Sequence, residues 1–231
     1  MRIYVVRHGL SEGNAAGVIQ GYSDCSLTEV GKAQASLLGR YFNRERIIPE
    51  VIFTSPLRRA LQTSENIANE IDPRPRIEPD ESLKEVDVGT LSGCSIEDAY
   101  SKCPEWAKVD VNRWLDFSCA GGESFEGFYK RVTGSISKKM EGWDLLADRT
   151  IIFVTHAGTM RPLLKTLLAA ESDMMYFSFG NCSHVKIEYR KVNDSIRRVL
   201  TDLLTIQNIA GLMGEEIPSI TADDPVGKKI G

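Results

Sequence analysis

Three short apolar runs in this chain end on side chains that can do chemistry. Ile3-Tyr4-Val5-Val6 stops at Arg7, His8 and Gly9; Val51-Ile52-Phe53-Thr54 stops at Ser55 and leads to Arg58 and Arg59; Thr150 to Thr155 stops at His156. Two histidines and at least two arginines, if brought to one place, suit a phosphoryl group. Its equatorial oxygens are matched bidentately by guanidinium forks, which stay charged at any working pH. Glycines close to each histidine, Gly9 and Gly158, let backbone amides approach an anion, and helix N-termini beyond them add partial positive charge. A neutral imidazole in line with phosphorus can serve as nucleophile and split one displacement into two through a phosphohistidine. His8, between Arg7 and Gly9 in the tighter turn, is the expected nucleophile, with His156 donating to a phosphoryl oxygen from across the pocket. The leaving alkoxide needs a proton, for which the acid-rich stretch LKEVDVG offers Glu85 and Asp87.

These side chains meet only if their elements bring them together. Residues 3–6, 51–54 and 150–155 are short, β-branched and aromatic, the pattern of strands buried on both faces of a parallel sheet. Ligands of such sheets bind at the C-terminal ends of the strands. Thr28 can cap a helix carrying Ala33, Leu37, Leu38 and Tyr41 at helical spacing, and Ser55 with Pro56 can open another through Leu57, Leu61 and Ile67. RIEP at 76–79 reads as a weaker strand. Phe125, Phe128, Val132 and Ile136 mark an amphipathic helix, and a further helix runs through Leu163, Leu164 and Leu168. HVKIEY at 184–189 and IRRVLTDL at 196–203 alternate like two antiparallel strands at a sheet edge, His184 reading as structural. The expected fold is a three-layer α/β/α sandwich around a mostly parallel sheet with an antiparallel edge. It forms one catalytic domain over residues 1–208, with 209–231 as a mobile tail. Residues 95–122 have no clean period and read as an insertion over the sheet, a lid or specificity loop with Trp106 and Trp114 at the substrate mouth or in a satellite cluster.

The bulk numbers restrict the functional classes. The chain has 231 residues, 42% hydrophobic and 26% charged, with a formal net charge of −4 and no basic run, so nothing recommends a nucleic-acid partner. Met1-Arg2 leads straight into the first strand without the apolar stretch of a secretory leader, and no run reaches membrane-spanning length, so a cytoplasmic protein without membrane contact is expected. Cys25, Cys94, Cys103, Cys119 and Cys182 are odd in number, scattered and without CxxC spacing, which reads as five free thiols. With three histidines and no carboxylate cluster at ligand spacing, no metal and no cofactor are expected.

Five blocks carry a resemblance: VVRHGLSEGN, SPLRRALQTSE, LKEVDVGTLSG, GGESFEGFYKRV and FVTHAGTMRPLL. In this order and at these separations the chain, from residue 1 to about 190, resembles the histidine phosphatase superfamily, which includes cofactor-dependent phosphoglycerate mutases and many small-molecule phosphatases. The resemblance implies a phosphate pocket of Arg7, His8, Arg59 and His156 with His8 as nucleophile, selects Arg59 over Arg58, and makes Glu85 the proton donor. It puts Asn14 on the phosphoryl group and Gln20-Gly21 on the substrate side, where Ala157 is also placed. Leu10 stands where the family usually has Glu or Gln, and Ser92 where an acid often precedes the glycine. After Glu85 the mutases continue with a basic, aromatic RHYG-like stretch; here it is Val86-Asp87-Val88-Gly89. The implied activity is hydrolysis of a small phosphorylated metabolite, the alternatives being a mutase or a non-catalytic phospholigand binder. Oligomeric state is open, a homodimer being one outcome. Selectivity is expected in residues 10–25 and 90–122.

Overall fold

The computed structural model describes residues 1–107, 115–170 and 179–216. Six strands, β1 (Arg2–Arg7), β2 (Val51–Thr54), β3 (Arg76–Pro79), β4 (Thr150–Thr155), β5 (His184–Val192) and β6 (Ser195–Leu204), form one sheet in the order β3-β2-β4-β1-β5-β6. The first four in that order are parallel; β5 runs antiparallel to β1, and β6 to β5. Eight helices accompany it among the described residues: α1 (Glu12–Ala15), α2 (Glu29–Arg44), α3 (Arg58–Asn69), α4 (Ile96–Lys102), α5 (Pro104–Ala107), α6 (Phe125–Glu141), α7 (Ala157–Leu168) and α8 (Ile206–Met213).

The two faces of the central strands take different partners, because successive side chains point to opposite sides. Ile3, Val5, Phe53, Ile151 and Phe153 pack against Phe128, Val132 and Ile136 of α6 and Met160, Leu163 and Leu167 of α7. Tyr4, Val6, Ile52, Ile152 and Val154 pack against Leu38 and Phe42 of α2, Ile67 of α3, and Ile209 of α8. Each such fully buried side chain contributes about 1.5–3 kcal/mol. This core holds the strand ends at their regular spacing, and the site hangs from it.

Local signals hold at most helix starts. Thr28 caps α2 by accepting from the Gly31 amide, and Ser124 caps α6 by accepting from Gly127. Ser55 does not cap α3 as expected. The helix starts at Arg58 after Leu57, with no side-chain cap, and Ser55 Oγ accepts from the Leu57 amide at 3.3 Å while its other bond goes to His156. Residues 95–122 also differ from the irregular loop expected, since Ser95 caps the short helix α4 and α5 comes after it. Trp106 is buried between Tyr100 and Phe117, which places it in a satellite cluster; Trp114 lies outside the described residues.

Two further expectations are corrected. Cys103 and Cys119 are joined by a disulfide, with Cα atoms 6.7 Å apart, and only Cys25, Cys94 and Cys182 are free. The pairing escaped spacing rules because the cysteines lie 16 residues apart and meet through the folding of the insertion. The boundary expected at 208 falls inside α8, whose Ile206, Ile209 and Ala210 are buried against α2, and Arg40 pairs with Glu215 at 2.5 Å. Residues 217–231 lie outside the described residues. Among the described residues no helix is long and apolar enough to cross a membrane.

Candidate active site

β2, β4 and β1 are neighbours, so Ser55, His156 and His8 leave adjacent strand ends. Around them is a cavity of about 80 Å³, lined by Arg7, His8, Asn14, Gln20, Gly21, Arg59, Glu85 and Ala157 among others. Eight of the nine residues expected at the site therefore face one space. The ninth, His156, is wholly buried beneath it, its ring centroid 5.1 Å from that of His8.

His8 is 3% exposed, and its Nδ1 lies 2.7 Å from the Gly9 carbonyl. A carbonyl only accepts, so Nδ1 carries the proton and Nε2 keeps its lone pair. Burial, and then the charges of Arg59 and Arg7, hold the His8 pKa well below its ordinary value, so the imidazole is neutral at pH 7. Asn181 donates to the His8 carbonyl at 3.0 Å and Arg7 donates to the Phe179 carbonyl, which braces this turn against the segment leading into β5.

Arg59, 1% exposed, ties three parts of the site together. Its Nε donates to His156 Nδ1 at 3.2 Å, Nη1 to the Ser23 carbonyl at 2.9 Å and Nη2 to the Gly21 carbonyl at 2.8 Å. Two of its five N–H groups are left for a ligand. Burial lowers its pKa to about 10, still charged at neutral pH. Arg58, by contrast, is an exposed partner of Asp24. Since His156 Nδ1 accepts from Arg59, its Nε2 carries the proton and donates to Ser55 Oγ at 2.7 Å. Burial, together with the charges around it, keeps His156 neutral as well. To donate to a phosphoryl oxygen, Nδ1 must exchange Arg59 for that oxygen and gain a proton.

Glu85 sits across the cavity. Its Oε2 accepts from the Gly158 amide at 3.1 Å and its Oε1 from Thr159 Oγ1 at 3.2 Å and its neighbour's amide at 3.0 Å. A Cβ on residue 158 would lie 2.5 Å from Glu85 Oε1, so the glycine after Ala157 is what admits the carboxylate. Arg131 secures the backbone behind it, donating to the carbonyls of Ser82 at 3.0 Å and Glu85 at 3.0 Å while paired with Glu123 at 2.7 Å. Asp87 is occupied in a turn, accepting from the Gly89 amide at 2.9 Å. Asn14 Oδ1 accepts from Ser11 Oγ at 2.8 Å and from Asn181 at 3.3 Å, which fixes its amide at the rim.

Sequence reasoning missed Ser55 and Asn181 as supports, and the apolar lining of Val18, Ile19, Val86, Val88, Leu115 and Phe117. Ser55 and Arg131 stand inside the blocks SPLRRALQTSE and GGESFEGFYKRV, so position was available as a signal; the partners were not. Among the described residues, the group close enough together to suggest a metal site is Cys103, Glu105 and Cys119, outside this cavity, and its two sulfurs are joined in the disulfide.

The model of the histidine phosphatase superfamily (branch 1) matches residues 3–201. The chain is similar to phosphoserine phosphatase 1 of Hydrogenobacter thermophilus, 32% identical over 78% of this chain and 82% of the relative. It is similar also to a 2,3-bisphosphoglycerate-dependent phosphoglycerate mutase of Methylobacterium, 32% identical over 71% and 79% respectively. In fold it resembles the α-ribazole phosphatase of Shigella flexneri, with a TM-score of 0.73 at 21% identity, covering 89% of this chain and 97% of that one.

Proposed function

The chain belongs to the histidine phosphatase superfamily, and from that premise we propose that it hydrolyses a small phosphomonoester through a phosphohistidine on His8. The observation that carries this reading is the His8 tautomer: Nδ1–H is committed to Gly9, so Nε2 offers a lone pair into a cavity flanked by Arg7 and Arg59. In the first step Nε2 attacks phosphorus, the bond to the ester oxygen breaks, and the Glu85 carboxyl gives its proton to the departing alkoxide. In the second, water attacks phosphorus, Glu85 takes the water proton, the P–N bond breaks, and phosphate leaves with His8 restored. Arg7 and Arg59 would neutralise the charge on the equatorial oxygens, the part a metal ion plays elsewhere, while neutral His156 would donate Nδ1–H to one of them.

Hydrolysis is favoured over mutase chemistry by the residues next to Glu85. Val86 and Val88 line the cavity and the Asp87 carboxylate caps a turn, so this stretch brings no cation to grip a second phosphate. With a monophosphoglycerate as substrate, free phosphate is expected to accumulate and the isomer is not.

The test is covalent. A phosphoramidate on imidazole survives alkali and is lost in acid, so enzyme turning over a ³²P-labelled monoester in EDTA and quenched in base carries label on the His8 peptide. His8→Ala loses label and turnover, whereas His156→Ala slows turnover and still labels. Label on His156, an active His8→Ala variant, or activity abolished by EDTA and restored by a divalent ion overturns the reading.

A further inference from the structure

The cavity is small, about 80 Å³, against the ~300–1,000 Å³ of sites that enclose a whole small molecule. On the reading above, on which this inference rests, the enclosed part is the phosphoryl group, and the alcohol portion of the ester lies against an apolar wall of the lining. That wall is Ile19, Val88, Leu115 and Phe117, from three separate segments.

We infer that the enzyme's preferred esters carry an uncharged, apolar or aromatic alcohol portion, and that a second anionic group on that portion is disfavoured. Two observations support this. The wall side chains are apolar and almost fully buried, so seating a carboxylate or second phosphate against them would strip water from a charge without replacing it. The wall is also a built surface. A Cβ on Gly21, at φ +47°, would lie 2.4 Å from Val88 Cγ2, so the two loops are in direct contact. Phe117 packs on Trp106 at 5.3 Å, and its backbone pairs with Glu123 at 2.9 Å and Gly122 at 3.0 Å. Cys119, two residues on, is tied to Cys103.

The experiment compares kcat/KM for 2-phenylethyl phosphate, O-phosphoserine, 3-phosphoglycerate and methyl phosphate, all alkyl esters, by phosphate release. The wild type is expected to prefer 2-phenylethyl phosphate to O-phosphoserine and 3-phosphoglycerate by about 30-fold or more, within the range a hydrophobic pocket can supply. Phe117→Ala is expected to cut that ratio at least fivefold. Val88→Thr, which keeps the side-chain shape and adds a hydroxyl to the wall, is expected to cut it in the same direction. A wild-type preference for O-phosphoserine or 3-phosphoglycerate, or ratios unmoved in both variants, overturns the inference while leaving the phosphatase reading intact. Failure to hydrolyse any of the four esters, with no label on His8, overturns the phosphatase reading and this inference with it.

Discussion

On the floor of the pocket, His8 and His156 leave neighbouring strand ends and Arg59 lies in the first turn of the helix after β2, and each is held by directed hydrogen bonds to Gly9, to the loop carbonyls of Gly21 and Ser23, and to Ser55. On the wall, Ile19, Val88, Leu115 and Phe117 come from loops and are held by contact with other apolar groups and by turns of the insertion. The floor inherits its spacing from the sheet, where adjacent strands lie about 4.8 Å apart whatever the loops do. The wall has no such template and can change without disturbing the strands. A floor of this kind preserves one chemistry, while a wall of this kind sets which ester receives it.

The widest separation between the two regions is expected from Glu85→Gln, which keeps the side-chain shape and removes the proton. Hydrolysis of alkyl monophosphates should fall by roughly 10² to 10⁴ whatever the alcohol, and an aryl phosphate with a good leaving group should lose less. Steady-state rates on matched alkyl and aryl esters check it. Equal losses, with phosphoenzyme formation rate-limiting, would make Glu85 a brace for Gly158 and Thr159.

A smaller effect is expected one layer below the floor. Ser55→Ala leaves His156 Nε2–H buried and unpaired, which costs about 1–3 kcal/mol and should lower kcat/KM by roughly 10- to 100-fold, with Ser55→Thr recovering most of it. A hydroxyl can both accept from Nε2–H and donate to bare Nε2, so it suits His156 before and after Nδ1 turns to a phosphoryl oxygen. The pH profile separates this from a packing defect. In wild type the acid limb lies below pH 6.5, because burial and the nearby arginines hold His8 and His156 neutral, and Ser55→Ala, acting on His156, should alter the limb as well as the height. An unchanged profile at reduced height would leave Ser55 as packing only.

The smallest effect on rate is expected from a histidine belonging to neither region. His184 is wholly buried among Tyr4, Tyr41 and Phe42, neither ring nitrogen has a hydrogen-bond partner, and burial lowers its pKa to about 4. Below its unfolded value near 6.5 the unfolded chain binds the proton that the folded chain refuses, so stability falls as pH drops from 6.5 and levels near 4. The loss reaches about 3 kcal/mol at the acid end. His184→Leu should flatten this decline in Tm while leaving turnover at pH 7 within about twofold. An unchanged acid decline would place the burden on His8 and His156.

The alternation of apolar strands with amphipathic helices was legible in the sequence, because periods of two and 3.6 residues report which face each element buries. So was the gathering of arginines and histidines at one end of the sheet, since an arginine and a histidine at the end of a buried strand have few other reasons to be there, and five ordered blocks gave the family pattern its weight. The segment 95–122 was not legible. The two α-helices among its described residues are a turn or two long, shorter than a periodicity needs to declare itself, and its disulfide joins cysteines that only folding makes neighbours. Nor could the sequence tell that Ser55 serves His156, 101 residues away, instead of capping the helix beside it. Local pattern records which side of its own element a residue faces; which residues meet across the site depends on strand order and loop packing, and that was decided only when β2, β4 and β1 came to lie side by side.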